Sequence, residues 1–323
     1  MVIFYIVVLF ILSLVLVKSA DWVVVAIRRL SESTKMGAFA ISAIILALGT
    51  SFPELFVGIT SALSGSPNLI LGVVLGANIA NISLVAGIAA LITGRVHVQG
   101  SFVRRDVGIA LLAGLLPLFL LLDRNLSRVD GLILLTTYAG YASSFFRKRY
   151  LQVAREQREE GFIYRFFQKF NHVSAAKRRE LGRLFVGLAL LLFSSDMIVR
   201  ISDGIALALN VPLLVIGLVF LAIGTTLPEL TFSIKSLSED QPGMFFGNIL
   251  GSIIANSTFV VGLAAVIAPM EIVARRQYLV ASVAFLVIYC LFWYFIRTKR
   301  TLERWEAGVM LFLYTVFVVV EFI

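Results

Sequence analysis

Apolar runs of bilayer length recur along this chain from its first residues to its last. Each holds roughly 18–27 residues with few charges, the length a helix needs to cross about 30 Å of hydrocarbon. The first opens with Val2 to Val17. The runs predict helical spans at 2–27, 36–63, 68–93, 106–122, 129–146, 181–207, 212–237, 243–268, 276–296 and 305–322. The hydrophobic share is 59% and the mean hydropathy is +0.96, where soluble domains average about 45–50% apolar. The fold class expected is an all-α membrane protein of ten transmembrane helices.

The net charge of +9 would suit a nucleic-acid partner, but its distribution argues against one. The basic residues fall in short segments between apolar runs, where they act as topology signals. Arg147, Lys148, Arg149, Arg155, Arg158, Arg165, Lys169, Lys177, Arg178, Arg179 and Arg183 crowd between the fifth and sixth spans. This basic loop is expected to be cytoplasmic, which places both termini outside. Arg28, Arg29 and Lys35 agree with that orientation, and Arg275 and Arg276 oppose it. The loop reads as a topology determinant with helical character, in preference to a site for acidic lipid. Lys18 follows the first apolar stretch instead of preceding it, so the stretch reads as a span and not as a cleaved leader. A single cysteine, Cys290, precludes an intrachain disulfide and a Cys metal cluster, and His97 and His172 lie in connecting segments.

The chain repeats itself. Gly49-Thr50-Ser51-Phe52-Pro53-Glu54-Leu55 recurs as Gly224-Thr225-Thr226-Leu227-Pro228-Glu229-Leu230, at an offset of 175. The same offset carries Asp21 to Asp196, Gly72 to Gly247, Gly76 to Gly251, and Asn81 to Asn256. Residues 1–146 and 181–323 are therefore read as two five-span repeats joined by the basic segment 147–180. An odd number of spans makes the second repeat enter the membrane from the opposite side. Such inverted-topology repeats are a transporter architecture, with the site at their interface near the midplane.

Glu54 and Glu229 fall inside apolar spans, where a charge costs at least about 2.5–3.5 kcal/mol. Neither has a Lys or Arg well inside a span to pair with. Ala47, Thr50, Ser51 and Glu54 share one helix face by their spacing, as do Ala222, Thr225, Thr226 and Glu229. These stripes offer hydroxyl and carboxylate oxygens and nothing soft, which suits hard cations such as Ca2+. Pro53 and Pro228 should kink their helices and free the carbonyls of Gly49 and Gly224. Asn81, Asn256 and Ser252 add oxygens from the third span of each half. The paired glycines let helix backbones approach closely. Asp21 and Asp196 read as packing or interfacial residues more than as ligands. With no histidine in a span and no nucleophile beside a base, enzymatic chemistry is not expected.

These motifs resemble the cation/Ca2+ exchanger superfamily, and within it the prokaryotic type of the Na+/Ca2+ exchanger branch. Its two α-repeats are the G-[ST]-[ST]-x-P-E-L segments followed by G-x-x-x-G-x-x-x-x-N. The resemblance implies secondary antiport of Na+ against Ca2+ by alternating access, with ions between the second, third, seventh and eighth helices. It implies Ca2+ on Glu54 and Glu229 with the carbonyls of Thr50 and Thr225. One Na+ site would use Ala47, Thr50, Ser51, Glu54 and position 77. Another would use Ala222, Thr225, Thr226, Ser252 and Glu229, with Asn81 and Asn256 completing the centre. The first and sixth helices would slide over the rest as a gate. Two departures stand out: Ala77 replaces a frequent Ser, and Asn256 stands where K+-dependent members carry Asp. The Asn-Ala-Thr-Glu pattern of the H+/Ca2+ branch is absent, although H+ stays the alternative counter-ion. A cation channel is the less favoured reading. The expected partners are membrane lipid, Ca2+ and Na+, with no cofactor and no nucleic acid. The working unit is expected to be a monomer in a prokaryotic cell membrane.

Overall fold

The computed structural model describes residues 2–32, 51–94, 96–97, 101–156, 175–299 and 301–322. Helix α1 is Val2–Glu32, α2 is Phe52–Leu63 and α3 is Pro67–Thr93. Strand β1, Val96–His97, leads to α4, Ser101–Leu120, and β2, Asn125–Leu126, leads to α5, Arg128–Glu156. The second half holds α6, Ala175–Leu209, α7, Leu213–Ser238, and α8, Pro242–Ile267. It ends with β3, Met270–Glu271, α9, Arg275–Lys299, β4, Thr301–Leu302, and α10, Arg304–Glu321.

Seven of these helices are long and apolar enough to cross a membrane: α1, α3, α4, α6, α7, α8 and α9. Helix α10 falls outside that group because Arg304, Glu306 and Glu321 lie within its 18 residues. Helix α5 does so because Thr136, Thr137, Tyr138, Tyr141 and Ser143 dilute its apolar face. Of the second predicted span, only 51–63 lies within the described residues. The segment expected as a basic loop is helical at both ends, since α5 runs on to Glu156 and α6 starts at Ala175.

Burial sorts the helices into a core and a periphery. The apolar stretch of α3 is 94% buried, whereas that of α1 is 28% buried. Helices α7 and α8 join α3 inside, while α1, α4, α6 and α9 turn large side chains such as Ile3, Leu112, Leu207 and Trp293 outward. An outward apolar surface on membrane-length helices is what lipid covers.

The halves are built alike. The α2–α3 turn puts Gly65 at φ +75°, and the α7–α8 turn puts Asp240 at φ +54°, the position equivalent by the offset of 175. Ser66 N donates to Ser61 O at 2.9 Å, and Gln241 N donates to Ser236 O at 2.8 Å. This left-handed C-terminal turn satisfies the last helical carbonyls, and Pro67 and Pro242 then start the next helices, where a missing N–H costs nothing. Across the halves, β1 pairs antiparallel with β4 and β2 with β3. Helix α10 packs on the end of α3 as α5 packs on the end of α8.

Helices α3 and α7 cross at glycines. A Cβ on Gly76 would strike the carbonyl of Leu218 and lie 2.7 Å from Ala222 Cβ. A Cβ on Gly217 would lie 2.5 Å from Leu69 O. The crossing therefore brings the third helix of the first half against the motif-bearing helix of the second.

Candidate functional site

The second motif sits at a helix break, and the described part of the first opens a helix in the same way. Ser51 and Thr226 hold φ −88°, ψ 7° and φ −84°, ψ 0°, the bridge conformation between helical and extended backbone. Pro53 and Pro228 lie in the first turn of the helical segments that follow, Phe52–Leu63 and Leu227–Ser238. In the second motif, where both flanks are described, the kink expected inside a continuous helix is thus a one-residue interruption at Thr226, because proline is accommodated best where its N–H would be unused. In α7, Thr226 N still donates to Ala222 O at 3.1 Å and Leu230 N to Thr226 O at 3.0 Å.

A second irregularity contains each candidate asparagine. Asn81–Val85 and Ala255–Val260 form π-helical turns in α3 and α8. Such turns widen the helix and re-aim side chains, and they concentrate at functional sites. Ser83 and Thr258, at equivalent positions within them, donate to Ile79 O at 2.5 Å and to Ile254 O at 2.6 Å. A third π turn, Gly217–Leu221, directly precedes Ala222.

Ala47 and Thr50 lie outside the described residues. The other nine candidates, Ser51, Glu54, Asn81, Ala222, Thr225, Thr226, Glu229, Ser252 and Asn256, are all buried, and both glutamates and both asparagines have 0% exposure. Thr225 of the second half stands beside the Glu54 carboxylate of the first, outside strict hydrogen-bond geometry. Its hydroxyl donates to Ala222 O at 3.4 Å. Glu229 Oε1 accepts from Ser252 Oγ at 3.4 Å, and the Glu229 carbonyl accepts from Asn248 Nδ2 at 3.4 Å.

The buried oxygens are poorly served by the protein. Among the described residues, neither oxygen of Glu54, neither amide atom of Asn81 or Asn256, nor the Ser51 hydroxyl has a hydrogen-bond partner. Buried polar atoms are nearly always paired, so a group of orphans marks a place where something else supplies the partner. A buried carboxylate in particular needs a compensating charge. The described residues hold no cluster of three or more His, Cys, Asp and Glu.

Asp196 is taken up elsewhere: Arg200 Nε bonds its Oδ2 at 2.8 Å, on a solvent- or lipid-facing part of α6. Arg200 lies well inside a span, which the sequence reading passed over, but it serves Asp196 and not the glutamates. Sequence reasoning also missed Asn248 and the Asn78–Ser257 pair, whose amide Nδ2 donates to the hydroxyl at 2.7 Å. Their positions at the offset of 175 are Val73, Ile253 and Ile82, so an argument built on repetition could not find them.

The profile described as sodium/calcium exchanger protein matches residues 4–147 and 180–323. The chain belongs to the sodium/calcium exchanger family. It is therefore kin to membrane transporters. The inner membrane protein YrbG of Escherichia coli is 30% identical over 87% of this chain and 86% of its own length. The sodium/calcium exchanger MaX1 of Methanosarcina acetivorans is 25% identical over 95% of each. A solved structure of the sodium-calcium exchanger NCX_Mj, soaked with Na+ and Sr2+, is 25% identical, covers 99% of each chain and superposes with a TM-score of 0.60.

Proposed function

We propose that this exchanger moves Ca2+ against Na+ across a prokaryotic cell membrane, as a monomer of ten spans in two inverted repeats. The seven membrane-length helices are completed by α5, α10 and the segment 36–63. The repeats are 1–146 and 181–323, the basic segment 147–180 is cytoplasmic, and both termini are outside. The observation that carries this reading is the pair of equivalent glutamates, wholly buried in the first turn of equivalent helical segments, with the Thr225 hydroxyl beside Glu54 and the Ser252 hydroxyl on Glu229.

The chemistry follows from charge. Glu54 and Glu229 together supply about two negative charges, which one Ca2+ or two Na+ neutralise. Thr50, Thr225, Ser51, Thr226, Ala47, Ala222 and Ser252 complete the coordination with hydroxyl and backbone oxygens, and Asn81 and Asn256 close the centre. Shared ligands make occupancy by the two ions mutually exclusive, so reorientation with one cargo at a time couples the fluxes. A third Na+ would leave net positive charge and make the exchange electrogenic. Rocking one group of helices against the other exposes the site to each side in turn.

The test is uptake of radioactive Ca2+ into proteoliposomes under an imposed Na+ gradient, compared with an imposed H+ gradient. Uptake driven by Na+ and not by H+ supports the reading. Uptake driven only by H+ replaces it with H+/Ca2+ exchange, and uptake indifferent to both replaces it with a channel.

A further inference from the structure

The Asn78–Ser257 hydrogen bond joins α3 to α8 across the two halves, and both side chains are almost fully buried. Asn78 lies three residues before Asn81, less than one helical turn away, and Ser257 directly follows Asn256. The bond thus ties together the two helices that carry the central amides, within a turn of each amide. Ser257 sits inside the π turn Ala255–Val260, and Asn81 begins the π turn Asn81–Val85. Those are the segments in which helical register is least regular.

The repeat supplies an internal comparison. The equivalent positions in the opposite halves are Ile253 and Ile82, both buried at 0% exposure. At this depth the fold therefore accepts apolar packing, and the hydrogen bond is not what a stable core requires. A buried polar contact gives direction and distance where an apolar one permits sliding. Cation coordination needs that directionality, since Ca2+–oxygen distances occupy a band of only about 2.3–2.6 Å.

We propose that Asn78 and Ser257 are a positioning pair, a strut between the halves that fixes the spacing of Asn81 and Asn256 and so sets the affinity of the central cation site. This rests on the exchanger reading, and the experiment separates the two. Full-length protein in detergent is titrated with Ca2+, and separately with Na+, while its melting temperature is followed. Wild type, Asn78→Ala, Ser257→Ala, the double variant and the conservative Ser257→Thr are compared. If neither ion stabilises wild type, the exchanger reading fails and the strut falls with it.

With wild type responsive, each alanine variant should weaken Ca2+ by about tenfold, the scale of one buried hydrogen bond. The double variant should be no weaker than either single one, because both remove the same contact. Ser257→Thr keeps the hydroxyl and should keep wild-type affinity. A purely structural role would lower the ion-free melting temperature of all three alanine variants and leave the Ca2+ midpoint where it was. Unchanged midpoints in both single variants, or losses that add in the double, overturn the proposal. If Asn78→Ala does not fold, Ser257→Ala against Ser257→Thr decides the matter alone: equal affinity in those two refutes the strut.

Discussion

Ser252 Oγ donates to Glu229 Oε1 at 3.4 Å, and the position equivalent to Ser252 in the first half is Ala77, which has nothing to donate. The two carboxylates are thus matched in sequence and unequal in their surroundings. Glu54 keeps both oxygens without a hydrogen-bond partner among the described residues. Adding a hydroxyl through Ala77→Ser should restore the missing oxygen donor on the first half. Na+ dependence of exchange should become tighter or more cooperative, by a few-fold in midpoint, as one more oxygen reaches the ion. Ser252→Ala should shift the midpoint the other way. A Na+ titration of transport reads both changes, and an unmoved curve for Ala77→Ser would place that residue away from any Na+.

Removing either charge should be far more damaging. Glu54→Gln and Glu229→Gln keep size and one oxygen but halve the charge available to a divalent ion. Charge-assisted contacts in a buried site are worth several kcal/mol. Ca2+ flux should therefore fall by at least about a hundredfold in each variant, since each 1.36 kcal/mol is tenfold in rate. Both proteins should still purify folded, because Gln keeps the size and the hydrogen-bonding character of the buried side chain. Flux near wild type in either variant would remove that glutamate from the ion path.

Much of this architecture was legible because membrane helices announce themselves by length and because the motif occurs twice. Predicted bounds such as 212–237 and 243–268 meet the observed Leu213–Ser238 and Pro242–Ile267 within a residue. The helical character expected of the basic segment appears in the continuation of α5 to Glu156, past the predicted span end at 146, because charged residues end an apolar run without ending a helix. Glu54 and Glu229 were legible because an acidic residue in an apolar run is costly. Asn78, Asn248 and Ser257 were not, because a polar residue without a twin looks like ordinary variation until its partner is seen. The break at Thr226 was visible only as a proline, since sequence does not distinguish a kink from an interruption.

The glycine crossing gives a prediction about packing. A Cβ on Gly76 would meet the Leu218 carbonyl, backbone that cannot turn aside. Gly224 faces α1, where an added Cβ would come within 2.8 Å of the Ser13 side chain. Gly76→Ala should therefore push α3 from α7, at a cost of about 1–3 kcal/mol from overpacking, and lower the melting temperature in the absence of ions. Gly224→Ala should be milder, because its nearest neighbours are Ser13 Cβ and Oγ at 2.8 Å and not a backbone carbonyl, so a smaller shift of α1 relieves the contact. Equal melting temperatures for Gly76→Ala and wild type would show that the two helices are not held this closely.

The final prediction concerns K+. Asn81 and Asn256, proposed to close the centre of the site, are both neutral and both buried at 0% exposure. Glu54 and Glu229 are the acidic groups of the candidate site among the described residues, and in the proposed function one Ca2+ or two Na+ would balance their charge. A K+ bound alongside Ca2+ would leave a surplus positive charge in a dehydrated interior, where each uncompensated charge costs several kcal/mol. Exchange by the wild-type protein should therefore proceed at full rate with K+ replaced by choline on both sides of the vesicle. Asn256→Asp adds a third carboxylate to the proposed centre at nearly constant size. That variant should either bind an extra monovalent cation, so that its Ca2+ flux rises with added K+, or slow at neutral pH for want of a counter-charge. Measuring Ca2+ uptake by both proteins across a K+ series checks the charge argument directly. A strict K+ requirement in the wild type would mean that a further negative group enters the site from residues not assigned to it.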